Sequence, residues 1–229
     1  MTVASAFIFD LDGTLLDSLS DLAASSNNAL QAMGFSGHEV DAYRYFVGSG
    51  IEELGRRALP ETVRDEGHIQ RFVTLMQQDY EQRWPNTTRP YEGILPLLTH
   101  CHERAIPIAV LSNKPHPATT RMVETLFPNI RFVKVLGARP FVPKKPHPQS
   151  ALEIAQKMAC DCSLIGFVGD SNIDMQTAKA AGMIPLGVLW GLRSQEELVL
   201  AGAQRLIHHP KELLALTQPS VTPRDILHV

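Results

Sequence analysis

Five short apolar runs recur along this chain, and longer amphipathic stretches separate them. The runs are Ala4–Phe9, Ile106–Leu111, Phe132–Leu136, Leu164–Val168 and Pro185–Leu189. Uninterrupted apolar runs of this kind are typical of strands that are buried on both faces of a parallel sheet. Because helical patterns alternate with the runs, the sequence predicts an α/β fold, a doubly wound parallel sheet with a Rossmann-like core.

The stretch between the first two runs breaks this alternation. Residues 17–90 contain helical signals and no convincing strand, and one predicted helix begins with Ser18 as its N-cap and ends at Gly34. A second helix is indicated by an apolar stripe of Ile69, Phe72, Val73, Met76 and Tyr80. This is more helix than a simple crossover needs, so we expect a small helical cap domain inserted after the first strand. The predicted domains are an α/β core (1–16 and 91–217), the cap (17–90) and a C-terminal tail (218–229).

Composition and charge exclude several classes of protein. The 229 residues carry 21 lysines and arginines against 24 acids, without a basic stripe that could neutralise a nucleic-acid backbone. The longest apolar stretch is broken by proline and glycine and falls short of the roughly 20 residues that span a membrane. The amino terminus does not match a secretory signal, and three cysteines cannot pair fully. We therefore expect a cytoplasmic protein without nucleic-acid or membrane partners; its oligomeric state is left open.

Two carboxylates follow the first predicted strand, in the motif Asp10-Leu11-Asp12-Gly13-Thr14. Ligands of open α/β sheets bind beyond the carboxyl ends of the strands, so this is where chemistry is expected. Like charges this close together favour a cation between them. The alternative is a turn that closes the strand, with Gly13 supplying the tight bend.

Polar residues also follow the second run and occupy a proline-rich segment. Ser112 and Asn113 follow the second run and offer donors to an oxyanion, or they cap the next helix.

Lys144 and Lys145 lie within Pro143–Pro148, where prolines restrict the backbone. A fixed lysine can neutralise phosphoryl charge, whereas most lysines in such loops are simply solvated.

The fourth run ends at Gly169-Asp170-Ser171, and Asp174 follows four residues after Asp170. If a helix starts at Ser171, the two acids share one of its faces. Acids in a first helical turn are also common because they complement the helix dipole. The four polar clusters together are more informative than any one of them, since each lies at the end of a predicted strand or close to one.

This set of motifs resembles the haloacid dehalogenase-like phosphohydrolases, in order and in spacing, over nearly the whole chain. The residues that match the four family motifs are Asp10 to Thr14, Ser112, Lys145, and Gly169 to Ser171 with Asp174. Two further segments are similar to phosphoglycolate phosphatase-like members, namely Phe46-Val47-Gly48-Ser49-Gly50 and Trp190-Gly191-Leu192-Arg193. The resemblance implies a small phosphate ester as substrate, with 2-phosphoglycolate as the first candidate.

The resemblance also implies a mechanism. Asp10 would attack phosphorus and form an aspartyl-phosphate, while Asp12 would protonate the leaving group and later activate water. Mg²⁺ would be held by the Asp10 carboxylate, the backbone carbonyl of Asp12 and Asp170. It would allow the anionic nucleophile to approach an anionic phosphate.

The remaining residues are implied to assist these steps. Ser112, the backbone around Asn113 and the Lys145 ammonium would bind the phosphate oxygens. Asp174 would orient Lys145 or a metal-bound water; Lys144 is the fallback for Lys145.

Gly48 and Gly50 are expected to form a cap loop that contacts the substrate. Two alternatives stay open: a sugar-phosphate mutase of the same family, and a signalling module that keeps a stable phosphoaspartate. A binding protein of the same fold without activity is a further possibility, weakened by the presence of every motif residue.

Overall fold

A computed structural model of the protein describes residues 4–217, so the predicted tail at 218–229 lies outside the described residues. The described strands are β1 (Ala6–Phe9), β2 (Leu16–Asp17), β3 (Arg89–Pro90), β4 (Ile108–Pro115), β5 (Lys134–Ala138), β6 (Ile165–Gly169), β7 (Ile184–Val188) and β8 (Arg205–Ile207). The described helices are α1 (Leu19–Ala32), α2 (Tyr43–Phe46), α3 (Ile51–Ala58), α4 (Glu66–Arg83), α5 (Ile94–Glu103), α6 (His116–Leu126), α7 (Gln149–Met158), α8 (Asn172–Ala180) and α9 (Gln195–Ala201).

Six of the strands form one parallel sheet in the order β5-β4-β1-β6-β7-β8. Strand β1 lies inside the sheet, with β4 on one side and β6 on the other. Strands β4 and β5 extend the sheet in one direction, and strands β6 to β8 extend it in the opposite direction. The carboxyl end of β1 is therefore the point where the winding direction changes, which is where ligands of such sheets bind.

The two faces of the sheet are covered by different helices. Phe7 and Phe9 of β1 belong to one buried apolar cluster, which includes side chains of α5 and α6. Ile8 points to the opposite face and joins a second cluster with side chains of α7 and α8. This alternation along β1 follows from the two-residue period of a strand. It confirms the predicted doubly wound α/β fold.

Helices α1 to α4 lie between β2 and β3, which pair antiparallel where the chain leaves the core and returns to it. Asp21 on α1 accepts hydrogen bonds from the backbone N–H groups of Thr87 and Thr88, at 3.1 and 2.8 Å, and from the Thr88 hydroxyl. The return segment is thereby fixed to the first helix of the segment inserted between β2 and β3, and this inserted segment is called the cap below. All five residues of the stripe predicted on α4 are buried.

Several boundaries differ from the sequence-based expectations. Strand β4 continues to Pro115 instead of ending at Leu111, so Ser112 and Asn113 lie within the strand. Ser18 holds the N-cap position of α1, but its hydroxyl makes no capping hydrogen bond and donates to Asp12 instead. The short strands β2, β3 and β8 were not predicted. Among the described residues, none of the helices combines the length and the apolar character that crossing a membrane requires.

Candidate functional site

The polar residues singled out from the sequence meet at the carboxyl ends of three adjacent strands. Asp10 directly follows β1, Ser112 lies in the carboxyl-terminal half of β4, and Asp170 directly follows β6. Because β4 and β6 are the two neighbours of β1, these side chains converge. All three are almost completely shielded from solvent.

Lys145 connects the first and last of these clusters. Its ammonium group lies 2.8 Å from an Asp10 carboxylate oxygen and 2.7 Å from one of Asp174. Burial alone would lower the pKa of Lys145, but the charges of Asp10 and Asp174 outweigh it and raise that pKa above its usual range. Lys145 is therefore held as a cation in contact with Asp10.

A capping box at the start of α8 positions Asp174. The Ser171 hydroxyl accepts from the Asp174 backbone N–H, and one carboxylate oxygen of Asp174 accepts from the Ser171 N–H. The other carboxylate oxygen accepts from Lys145. The capping box thus leaves one oxygen of Asp174 free to orient the lysine.

Three buried carboxylates form a group that could hold a metal ion. Oxygens of Asp10, Asp170 and Asp174 lie within 4.8 Å of one another. Burial raises the pKa of Asp10 well above its usual range, and burial followed by the charge of Asp174 raises that of Asp170 to about 6. Lys145 is the only lysine bonded to this group in the described part of the chain, so three negative charges face incomplete compensation. A hard divalent cation fits this all-oxygen donor set, and Mg²⁺ is such an ion.

Asp170 is enclosed by the segments that follow β1 and β7. One oxygen accepts a hydrogen bond from the Leu192 N–H at 2.8 Å, and the other accepts from the Thr14 hydroxyl at 3.3 Å. A side chain at Gly13 would place its Cβ 2.3 Å from an Asp170 oxygen, and Gly13 has a positive φ of 86°. Gly13 therefore allows the nucleophile loop to approach Asp170 closely.

Asp12 makes a pair that the sequence analysis did not anticipate. Lys114 donates to both carboxylate oxygens of Asp12 at 3.0 Å, and to the Tyr80 hydroxyl of cap helix α4 at 3.2 Å. Ser18 adds a hydrogen bond to Asp12 at 2.6 Å. Burial raises the pKa of Tyr80 to about 12, so the phenol stays neutral. The Asp12 carboxylate is thus oriented by a buried lysine that also contacts the cap.

The Asn113 side chain, which the sequence offers as a donor to an oxyanion, is instead hydrogen-bonded to other parts of the protein. Its amide nitrogen donates to the backbone carbonyls of Gly48 and Lys145 at 3.0 Å, and its oxygen accepts from the Lys145 N–H at 2.8 Å. The side chain is therefore occupied in joining the cap loop to the Lys145 segment. A phosphate-binding role remains a prediction for the backbone around Asn113 only.

Three further contacts join the cap to the core near this loop. The guanidinium of Arg193 donates to the Val47 carbonyl at 2.9 Å. Lys144 forms an ion pair with Glu52 of α3, and both side chains are partly exposed. Arg44 donates to the Gly191 carbonyl at 3.3 Å. The two adjacent lysines thus contact different partners: Lys145 faces Asp10 and Lys144 faces the cap.

A cavity of about 260 Å³ lies above Asp10, between the core and the cap. The core side contributes Asp10, Asp12, Ser112, Asn113, Lys114, Pro115, Pro117 and Ala118. The cap side contributes Leu22, Val47, Gly48, Gly50, Ile51, Leu54, Met76, Gln77, Tyr80 and Glu81. Gly48 and Gly50 have positive φ angles of 118° and 97°, which favour glycine at both positions.

Known proteins that are similar in sequence or in structure point to the same family as the sequence motifs. The sequence model of the haloacid dehalogenase-like hydrolase family matches residues 7–188. A phosphoglycolate phosphatase of Vibrio parahaemolyticus is 30% identical over 217 residues, which cover 93% of this chain and 95% of the relative. One of Xylella fastidiosa is 32% identical over 221 residues, which cover 94% and 93%. A solved structure of a phosphoglycolate phosphatase-like protein from Lactobacillus delbrueckii subsp. bulgaricus superposes with a TM-score of 0.87 at 28% identity, covering 95% of this chain and all of the other.

Proposed function

Because this chain belongs to the haloacid dehalogenase-like hydrolase family, we propose that it is a Mg²⁺-dependent phosphatase that hydrolyses a small phosphate monoester through an aspartyl-phosphate. The observation that carries the proposal is the position of Asp10. Its carboxylate lies at the floor of the cavity, in contact with Lys145 and beside Asp170. The relatives support the reaction class, a phosphoric monoester hydrolase.

In the first step an Asp10 oxygen attacks phosphorus, and the bond from phosphorus to the ester oxygen breaks. Asp12, on the cavity wall, enters this step as the protonated acid, with one oxygen released from Lys114, and gives its proton to the departing alkoxide. In the second step Asp12 takes a proton from water, and the oxygen of that water attacks phosphorus. Inorganic phosphate leaves and the Asp10 carboxylate is restored.

The charge that builds on the phosphate oxygens is stabilised by groups that are already in place. The Lys145 ammonium contacts Asp10, Ser112 lines the same cavity, and the backbone N–H groups around Asn113 belong to the same strand as Ser112. Asp174 keeps Lys145 oriented through their 2.7 Å contact. Asp10, the backbone carbonyl of Asp12 and Asp170 would hold Mg²⁺, which when bound reduces the repulsion between the nucleophile and the phosphate.

2-Phosphoglycolate is the reference substrate for this proposal. It is the substrate named for the relatives from Vibrio parahaemolyticus and Xylella fastidiosa, at about 30% identity. The cap loop at Gly48 and Gly50 borders the cavity, so it is placed to contact the leaving group. A related fold in a Bacteroides vulgatus protein described as a β-phosphoglucomutase, at 18% identity, bears on the fold alone.

The test is phosphate release by the purified full chain across a panel of phosphate monoesters, with and without Mg²⁺. We expect Mg²⁺-dependent release and a loss of about 10³-fold or more in Asp10→Asn. Asp41→Asn is the matched control, because Asp41 is an exposed carboxylate whose contact is a surface pair with Arg44. Undiminished turnover in Asp10→Asn, checked by mass spectrometry for deamidation, would overturn the proposal. Phosphate transfer between hydroxyls of one sugar without release would favour a mutase, and a long-lived phosphoprotein would favour a signalling module.

A further inference from the structure

Arg193, in the segment that follows β7, carries a buried nitrogen atom without a partner. The residue is only 8% exposed. Its Nη2 donates to the Val47 carbonyl at 2.9 Å, and its Nε lies 3.3 Å from a carboxylate oxygen of the partly exposed Glu197. Nη1 is buried as well, and within the described part of the chain it has no hydrogen-bond partner. Buried donors in native proteins are nearly always paired, so Nη1 is a group that a bound anion would satisfy.

The guanidinium of Arg193 lies against the cap loop that borders the cavity. Val47, whose carbonyl it contacts, and Gly48 both line the cavity. A Cβ at Gly48 would lie 3.8 Å from Nη2 of Arg193 and 3.9 Å from Ile173, and apart from its chain neighbours no other described residue comes within 4 Å of that position. Gly48 therefore leaves a space beside the guanidinium at the wall of the cavity.

Arg193 also lies near the end of the cavity where the phosphate is proposed to bind. The N–H of the preceding residue, Leu192, donates to a carboxylate oxygen of Asp170 at 2.8 Å. Burial and the charge of Asp174 raise the pKa of Asp170, whereas the Leu192 N–H and the charge of Arg193 act to lower it. The guanidinium is thus within electrostatic reach of a proposed metal ligand. In 2-phosphoglycolate, one oxygen and one carbon separate phosphorus from the carboxylate, so the carboxylate has to lie close to this end.

The lysines near the cavity already face carboxylates that compensate their charges. The pairs are Lys114 with Asp12, Lys145 with Asp10 and Asp174, and Lys144 with Glu52. Arg193 differs from them because its carboxylate partner is partly exposed and lies against Nε. Its plane is held by the ring of Tyr45, with Cζ 5.4 Å from the ring centroid. A fixed cation with a free nitrogen therefore stands beside the cap loop.

We infer that Arg193 determines specificity for a leaving group that bears a carboxylate, and that Nη1 receives this carboxylate when the substrate occupies the cavity. The inference rests on the proposed phosphatase function. A guanidinium presents its donors as a fork, so one nitrogen can hold the Val47 carbonyl while another binds the ligand. Because Nη1 is shielded from solvent, this ion pair is stronger than an exposed one. The rival role is a latch, in which Arg193 only fastens the cap loop to the core.

The test uses two non-hydrolysable ligands that differ in one charge. 3-Phosphonopropionate has the carboxylate of 2-phosphoglycolate and a methylene group in place of the ester oxygen, and its carboxamide has the same shape without the negative charge. Calorimetric titration of the full chain with Mg²⁺ gives Kd for each. We expect the wild-type protein to bind 3-phosphonopropionate about 10-fold or more tightly than the amide, which is the effect of one charge-assisted hydrogen bond. Equal, weaker or undetectable binding of 3-phosphonopropionate would overturn the inference.

A matched pair of variants separates carboxylate binding from the latch. Arg193→Met removes the guanidinium, and Arg44→Met removes another arginine that donates to a backbone carbonyl across the boundary of cap and core, that of Gly191. We expect Arg193→Met to abolish the preference for 3-phosphonopropionate over the amide, and Arg44→Met to retain it within about 3-fold. A latch affects both ligands alike, so an unchanged preference in Arg193→Met would show that the inference is wrong.

Arg193→Lys replaces Arg193→Met if circular dichroism shows that the methionine variant does not fold. It keeps the cation but loses the fork, so one ammonium group has to serve both the Val47 carbonyl and the ligand. The preference should then fall by about 3-fold or more, and a preference equal to that of the wild type would contradict the assignment.

Failure of this inference is distinguishable from failure of the proposed function, because the binding measurements require no turnover. If 2-phosphoglycolate is hydrolysed and Asp10→Asn abolishes its hydrolysis, but the wild type does not prefer the carboxylate ligand, the phosphatase proposal stands and the inference is wrong. If the two ligands behave as expected but no phosphate ester is hydrolysed, the carboxylate contact stands and the phosphatase proposal is wrong.

Discussion

Lys114 donates hydrogen bonds to both carboxylate oxygens of Asp12, at 3.0 Å each, from within a strand of the core. Both side chains are buried, so each charge depends on the other for compensation. Lys114 also reaches Tyr80 of the cap, which links the orientation of the proposed acid to the position of the cap. Asp12 is therefore held by Lys114 of β4 and by Ser18, and Lys114 is in turn held by Tyr80 of α4.

Lys114→Met should lower the free energy of unfolding by about 3–5 kcal/mol, because it leaves the Asp12 carboxylate buried without its partner. It should also lower kcat, since Asp12 loses its orientation. The measurement is denaturant unfolding of Lys114→Met, Asp12→Asn and the double variant, with Lys157→Met as an exposed-lysine control. Strictly additive losses in the double variant would contradict a coupled pair.

The adjacent lysines 144 and 145 should respond very differently to the same substitution. Lys145→Met should reduce kcat by about 10²-fold or more, since it removes the cation beside Asp10. Lys144→Met should change kcat by less than about 3-fold, because it removes only a partly exposed ion pair with Glu52. Steady-state kinetics of the two variants, with folding checked by circular dichroism, decides the assignment. A larger loss in Lys144→Met would reverse it.

Activity should disappear when divalent ions are removed by a chelator and return with Mg²⁺. Ca²⁺ should inhibit, because it prefers about 6–8 ligands and longer bonds, which would draw Asp10 away from attack on phosphorus. Phosphate release measured with each ion in turn checks both points. Full activity in the chelator, or equal rates with Ca²⁺ and Mg²⁺, would contradict the metal site proposed at Asp10 and Asp170.

The stabilising effect of Mg²⁺ should depend on pH. Burial raises the pKa of Asp170 to about 6, above the value of about 3.9 for an unfolded aspartate. Without the ion, stability should therefore fall as the pH rises between these two values, since the unfolded chain gives up its proton first. Mg²⁺ binds the ionised carboxylates, so it should raise Tm more near pH 7.5 than near pH 5. Asp170→Asn should abolish this difference; an equal Mg²⁺ effect at both pH values in the wild type would contradict the account.

The fold was predictable where the sheet is buried on both faces. Strands β1, β4, β6 and β7 each contain a run of mostly apolar residues, and this pattern is visible in the sequence without knowledge of the tertiary structure. Strand β8 was missed because it has three residues at the edge of the sheet and only Ile207 is buried. The pair β2 and β3 has two residues in each strand, too few for any periodicity.

The site was predictable as a set of motifs but not as a set of contacts. Placing the end of β4 at Leu111 concealed Lys114, whereas in the structure β4 continues to Pro115 and both Ser112 and Lys114 line the cavity. The periodicity places Tyr80 in an apolar helix stripe, and the structure confirms this position, but periodicity does not distinguish a core contact from a cavity wall. The pairing of Asp12 with Lys114 joins residues 102 positions apart, so it follows only from the fold.

The most direct test of the account is to trap the covalent intermediate on Asp10. The protein is mixed with a phosphate ester and Mg²⁺, quenched during turnover, reduced with borohydride and analysed by peptide mass mapping. An acyl phosphate is reduced to an alcohol, whereas a free carboxylate is not, so homoserine should replace Asp10 only in samples that received substrate. Homoserine at another aspartate, or unmodified Asp10 in a sample that is demonstrably turning over, would contradict the proposed nucleophile.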